Sequence, residues 1–346
     1  MSRLAYLLIL TLLAGLSACD EDISSASRLR RPRLLAIQAE PPNPAFGQTT
    51  LLRPLVYVTP GEPLTYEWSW CPVPTRSDDG YRCPVDQAAA DGIAALTGLA
   101  GIPPLFLGTA ETIAFTNPFP PALLASLCAG DSAVTSLFFA GRSGATDDEN
   151  PQVYTCAIAT LPVQVMLTIR GSVTDTGVVS LRLPIDEATP GNVNPIATGL
   201  RVLSPAPERL LDQTALVSVP RDAKVELHAD IAPTQAEVYI DRQLDANDDY
   251  VRDDAGQFVL GPTTERLSLS WFSEGGGFAE RHSGWGARDL DGNGQPVPFS
   301  SGIENEWTTP KIEDYTPATS LVLVVVRDSR GGVGWAQGIA TLESTP

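Results

Sequence analysis

The chain has 346 residues, with 41 acidic against 23 basic side chains and a formal net charge of −18 at pH 7. Its length fits two domains of ordinary size. A hydrophobic fraction of 43 % excludes general disorder, and 29 glycines with 30 prolines suit a loop-rich β protein. The acidic excess excludes a broad basic surface for nucleic acid. Two histidines, His228 and His282, leave little of the commonest general base and metal ligand.

Residues 4–15 form an apolar run behind Arg3. It is too short to cross a hydrocarbon core of roughly 30 Å and has the length of a signal-peptide core. It ends in Leu16-Ser17-Ala18-Cys19, which resembles the lipobox of bacterial lipoproteins. The resemblance implies removal of residues 1–18, a diacylglyceryl thioether on Cys19 and acylation of the new amine. Two or three acyl chains exceed the single chain that binds a membrane only marginally. The leader carries one charge, Arg3, so the mature chain keeps 22 basic against 41 acidic residues, or −19. Residues 19–33 read as a flexible tether: Asp20-Glu21-Asp22, three serines, then Arg28, Arg30, Arg31 and Arg33, with no apolar period. Asp20 directly after the cysteine resembles an inner-membrane retention signal of some enteric bacteria. That rule is not general, so the leaflet stays open.

Residues 34–183 are expected to form a first β domain. It contains a strand at 50–58, a tryptophan strand at 64–70, and alternating strands through Val163, Val165, Leu167 and Ile169 and through Val179, Leu181 and Leu183. Residues 86–100 and 121–129 read as helices, the second with proline in its first turn and Gly130 after its end. Both lie between strands, so about 72–130 reads as an insertion. Residues 184–198, with three prolines, Gly191, Asn192 and Asn194, read as an interdomain linker. Residues 199–346 are expected to form a second β domain with strands at 223–231, 267–272 and 333–342. The six apolar residues 321–326 suit a strand covered on both faces. The openings of the two halves, 34–42 and 200–207, look alike, which suggests a divergent duplication.

Four cysteines remain after Cys19: Cys71, Cys83, Cys128 and Cys156, all in the first half. An even number in an exported chain suggests two disulfides. Of three pairings, Cys71–Cys83 with Cys128–Cys156 is favoured because each closes a short loop. A zinc site is disfavoured, since there is no C-x-x-C pair and no histidine nearby.

Tyr66-Glu67-Trp68-Ser69-Trp70 and Leu269-Ser270-Trp271-Phe272 resemble the central strand of PKD-type and other immunoglobulin-like sandwiches. Residues 322–326 with Arg327-Asp328-Ser329-Arg330-Gly331-Gly332 resemble their penultimate strand and acidic-glycine turn. The resemblance implies a mainly β chain of two immunoglobulin-like sandwiches in tandem, the first with a small helical, disulfide-bearing insertion. Neither tryptophan strand runs into the Gly-Asp-Gly common in PKD modules. A tryptophan on such a strand fills the space between two sheets about 10 Å apart, so Trp68, Trp70 and Trp271 read as core.

No G-x-S-x-G, Ser-x-x-Lys, H-E-x-x-H or phosphate-loop pattern occurs. His228, between Glu226 and Asp230, reads as a solvated strand residue; His282 lies among polar and aromatic loop residues. Asp289-Leu290-Asp291-Gly292-Asn293-Gly294 resembles the start of a calcium loop, with Asp289, Asp291 and Asn293 as ligands and Gly294 at the bend. Its twelfth position is Ser300 instead of glutamate, so Glu304 or Glu306 would have to substitute. The competing reading is a plain turn. Asp245, Asn247, Asp248, Asp249, Asp253 and Asp254 read as a solvated loop. No cofactor other than calcium is expected. The functional expectation is a lipid-anchored bacterial envelope protein, periplasmic or surface-exposed, with a binding or structural role and no catalysis. Its partners would be the membrane and an unidentified protein or glycan, with no nucleic acid. The alternative is a carbohydrate-active hydrolase using acidic residues near Trp285 and Trp307.

Overall fold

The computed structural model describes residues 26–72, 81–97, 102–128, 160–184, 191–204, 207–211, 217–245 and 249–343. In the first half, β1 (Arg33–Glu40), β2 (Thr49–Tyr57) and β5 (Ile113–Thr116) form one sheet in the order β1-β2-β5. The facing sheet runs β4-β3-β6-β7, from β3 (Thr65–Cys71), β4 (Phe106–Gly108), β6 (Thr160–Arg170) and β7 (Thr174–Pro184). Every pairing is antiparallel. The period-two pattern of β6 puts Val163, Val165, Leu167 and Ile169 into the core. Trp68 and Trp70, two residues apart on β3, fall on the same inner face and are fully buried. Their indole N–H groups donate to the carbonyls of Ala110 (2.8 Å) and Pro104 (3.0 Å), which satisfies the polar edge of each ring.

The second half repeats the order. β8 (Ala197–Ser204), β11 (Lys224–Ile231) and β17 (Glu304–Thr308) stand as β8-β11-β17. β14 (Leu267–Ser273), β16 (His282–Trp285), β18 (Thr319–Asp328) and β19 (Val333–Glu343) stand as β16-β14-β18-β19. Short edge strands β9 (Arg209–Leu211) and β15 (Gly277–Phe278) extend the first sheet, and β10 (Val217–Pro220) joins β19 in parallel. A hairpin of β12 (Val238–Arg242) and β13 (Leu260–Thr264) projects between β11 and β14. The chain is thus two immunoglobulin-like sandwiches in tandem, each with its own apolar core.

Three expected boundaries change. The helices α1 (Gln87–Thr97) and α2 (Pro121–Cys128) form as expected, and Cys71 is bonded to Cys83 with Cα atoms 5.5 Å apart. Between the helices, however, β4 and β5 belong to the two sheets, so 72–130 is two excursions separated by sandwich strands. Strands of three and four residues are too short to declare a period. The tether ends early: from Ala26 onward the chain is packed, with Ser27, Leu29 and Pro32 buried. The described part of the linker, 191–198, is also packed, with Asn192 and Asn194 buried.

The two sandwiches share a third core. Leu29, Leu35 and Ala36 meet Phe272, Leu323, Val325 and Val333, with Leu55 and Trp335 against them. Polar contacts frame it. Asn194 Nδ2 donates to the Ala39 carbonyl and to Glu40 Oε2, both at 2.7 Å, and Asn194 Oδ1 accepts from the Val333 amide at 2.8 Å. Gln38 Nε2 donates to the Val333 carbonyl (2.7 Å), and Arg327 Nη2 to the Leu35 carbonyl (2.6 Å). A side chain at Gly334 would meet the Pro195 carbonyl at 1.9 Å, so only glycine lets the linker lie this close to β19.

Candidate functional site at the N-terminal end

The segment entering β1 crosses the second sandwich before joining the first. Leu29 N–H donates to the Ser273 carbonyl (2.8 Å), and Ser273 N–H to the Ser27 carbonyl (2.9 Å), a one-residue parallel bridge onto the end of β14. The Arg28 guanidinium donates twice to the Gly276 carbonyl, at 3.0 and 3.1 Å. Gly276 has φ +80°, and a Cβ there would lie 2.2 Å from the Thr308 carbonyl, so the acceptor is held in a turn open only to glycine.

Beside this segment lies a cavity of about 760 Å³, bounded by residues 28–30, Tyr57, the 274–279 turn and residues 308–319. Glu274 anchors its wall. Oε1 accepts from the Tyr57 hydroxyl (3.0 Å) and Oε2 from the Leu321 amide (2.9 Å); the Tyr315 hydroxyl, whose shorter contact is to the Thr319 carbonyl (2.8 Å), lies 3.3 Å from Oε2. Burial, reinforced by the charge and hydrogen bond of Glu274, pushes the Tyr57 phenol up to about 12 and raises that of Tyr315 as well. Both phenols therefore keep their protons at neutral pH, and Glu274 is held by the Tyr57 hydroxyl and the Leu321 amide. The cleft can hold a ligand by shape and hydrogen bonds; of the carboxylates that line it, Asp222, Glu274 and Asp314, Glu274 is committed to the wall.

A second cavity of about 570 Å³ lies against the same segment and shares Arg28 and Arg30 with the first. It is lined by Arg28, Arg30, Arg31 and Arg33 and closed by the β6–β7 turn at Val173, Thr174 and Asp175.

The structure distributes the sequence-predicted residues as follows. Cys19 and Cys156 lie outside the described residues. Cys128, at the end of α2, is disulfide-bonded. Asp289 pairs with Arg266 at 2.7 Å. Asp291 Oδ1 accepts from the backbone amides of Asn293 (2.8 Å) and Gln295 (2.9 Å), which lowers its carboxyl pKa. Gly294 takes φ +74° in the same turn. These contacts are those of an Asx-type turn, and among the described residues no three His, Cys, Asp or Glu side chains are grouped to hold a metal. In the second acidic loop, Asp253 Oδ1 likewise accepts from the amides of Ala255 and Gln257, both at 2.9 Å.

His228 faces Glu304 at 3.4 Å across β11 and β17, and Glu306 pairs with Lys224 at 2.7 Å. His282 Nδ1 lies 3.1 Å from Ser270 Oγ, which Arg327 Nη1 also reaches at 3.2 Å. Trp307 is fully buried, its N–H on the Gly275 carbonyl at 3.0 Å, while Trp285 is half-buried edge-on to Phe299. Trp307 is thus core and unavailable as a sugar platform. The cavities themselves escaped sequence reading because Tyr57, Glu274 and Tyr315 are scattered over 258 positions. Only the arginine run carried a local signal.

No protein-family model matches the chain, and no curated protein matches it. Among solved structures, it is similar to the fibronectin(III)-like modules of Clostridium thermocellum CbhA, with 8 % identity over 90 % of this chain and 98 % of that one and a TM-score of 0.18. It is also similar to the three N-terminal domains of the bacteriophage RB49 highly immunogenic outer capsid protein, with 9 % identity, coverage of 91 % and 71 %, and a TM-score of 0.20. The C-terminal domain of the Streptococcus pyogenes antigen I/II-family protein AspA gives 8 %, 91 %, 100 % and 0.21. With TM-scores this low, the fold rests on the doubled strand order. No helix among the described residues is long and apolar enough to cross a membrane.

Proposed function

We propose that the protein is a lipid-anchored module of the bacterial envelope that binds or braces a partner through the end of its two joined sandwiches. The observation that carries this reading is the docked segment at 26–32. It follows the lipobox-like Leu16-Ser17-Ala18-Cys19 by seven residues and welds the chain's entry point to both sandwiches. At a maximum of roughly 3.6 Å per residue, Cys19 cannot lie farther than about 25 Å from Ala26. An acylated Cys19 would therefore hold the 760 Å³ cleft close to the bilayer in a defined attitude. The commitment of Glu274, His228, Glu306 and Trp307 to structural partners supports binding or bracing over hydrolysis.

The test is Cys19→Ser in the native host. The variant should lose lipid labelling and leave the membrane fraction on salt and carbonate washing, because the acyl chains on that thiol supply the stable, wash-resistant attachment. A variant still in the membrane fraction after salt and carbonate washes would overturn the anchor.

A further inference from the structure

We propose that the arginine-lined cavity binds the phosphate of anionic lipid headgroups and so seats this end of the molecule on the bilayer that holds Cys19. The proposal rests on the anchor proposed above.

The first argument is charge placement. In a chain of net −18, four of the 23 basic residues fall within positions 28–33, and all four line one cavity of about 570 Å³. Arg28 donates to the Gly276 carbonyl and Arg33 to the Ala26 carbonyl. Those acceptors are neutral, so they position the guanidinium groups without cancelling their charge. The one carboxylate in the lining, Asp175, accepts from the amides of Leu34 and Thr176, both at 2.9 Å. Arg30 and Arg31 are exposed and have no hydrogen bond or ion pair among the described residues. Four like charges around a pocket repel one another until an anion enters, and the planar guanidinium fork matches phosphate oxygens two at a time.

The second argument selects the occupant. Cys19 is seven residues from the cavity, so a bilayer holding its acyl chains presents headgroups within about 25 Å. Tethering turns headgroup capture into an intramolecular event at millimolar effective concentration, enough to fill a weak site. With a Debye length of about 8 Å in physiological salt, a charge acts on the surface only when brought that close to it, which the tether permits for the arginines at the anchor end and not for the bulk of the acidic body.

Vesicle sedimentation of residues 20–346 tests this. That chain lacks the anchor, loses no described residue, and retains Asp20, Glu21 and Asp22 as opposing charges. It should bind phosphatidylglycerol vesicles and ignore phosphatidylcholine vesicles, with binding lost as salt rises. Arg30→Ala with Arg31→Ala should weaken partitioning by about fivefold per arginine, the ~1 kcal/mol a basic residue contributes at an anionic surface. The melting temperature should not move. Equal binding to both vesicle types, or equal binding by parent and double variant, would overturn the proposal. Displacement of the vesicles by millimolar inorganic phosphate would also overturn it, assigning the cavity to a free anion. Because this chain carries no lipid, its result is independent of the Cys19→Ser experiment.

Discussion

Arg330 shows how much structure one turn residue can hold. Its Nε donates to Glu265 Oε1 and its Nη2 to Glu237 Oε2, each at 2.5 Å. Asp328 accepts the amides of Arg330 and Gly332 at 2.8 Å and the Asn192 side chain at 3.1 Å. One cluster thus ties the β18–β19 turn to the base of the β12–β13 hairpin and to the linker. Glu265 is completely buried; burial and then the nearby Asp328 raise its carboxyl pKa, against the pull of Arg330. Arg330→Met should cost about 3–5 kcal/mol, because it leaves a buried carboxylate unpaired. Adding Glu265→Leu should return much of that. In the single variant the carboxyl pKa rises further, so stability is present below the ordinary glutamate value and lost as pH climbs through the raised one. Urea denaturation at acid and neutral pH measures both the size and the sign. The sequence showed Asp328-Ser329-Arg330-Gly331-Gly332 as a turn, but the partners stand 65 and 93 residues away and carry no local signal.

At the level of elements, what was legible is what repeats within a strand. Val225, Leu227 and Ala229 alternate with polar residues and form the inner face of β11. The apolar run at 321–326 is covered on both faces, as its composition implied. Val322, Val324 and Val326 face the core of their own sandwich, while Leu321, Leu323 and Val325 face the first sandwich. The identity of that second cover depends on residues almost 300 positions away, so periodicity could not supply it. The Cys71–Cys83 bridge is an element-scale device of the same kind: it fastens the end of β3 to the excursion that leads into α1. Its loop spans 12 residues, for which chain entropy gives about 3 kcal/mol. Cys71→Ala with Cys83→Ala should therefore lower the stability of the first sandwich by about that amount. Hydrogen exchange should show its largest loss in β3 and β6, next to the bridge; protection there equal to the parent's would refute the role of the bridge.

The third core is expected to make the whole molecule unfold as one body. Interfaces between tandem domains are commonly polar and permissive of motion. This one is apolar at its centre, through Leu29, Leu35, Phe272, Leu323 and Val325, and bound at its rim by Asn194, Gln38 and Arg327. Residues 184–198 looked like a loose linker because proline, glycine and asparagine compose loose and packed connections alike. Only the landing of Asn194 on Ala39, Glu40 and Val333 distinguishes them. Cooperative coupling predicts a single calorimetric transition for the parent protein, with matching van't Hoff and calorimetric enthalpies. Leu323→Ala removes a buried side chain from the shared core and should cost about 2–5 kcal/mol. Asn194→Ala strands the Val333 amide and should cost about 1–3 kcal/mol more. Together they should split the transition in two while each sandwich keeps its own core. Two transitions in the parent would show instead that the sandwiches melt independently, and an anchor at one end would then fix the attitude of only one of them.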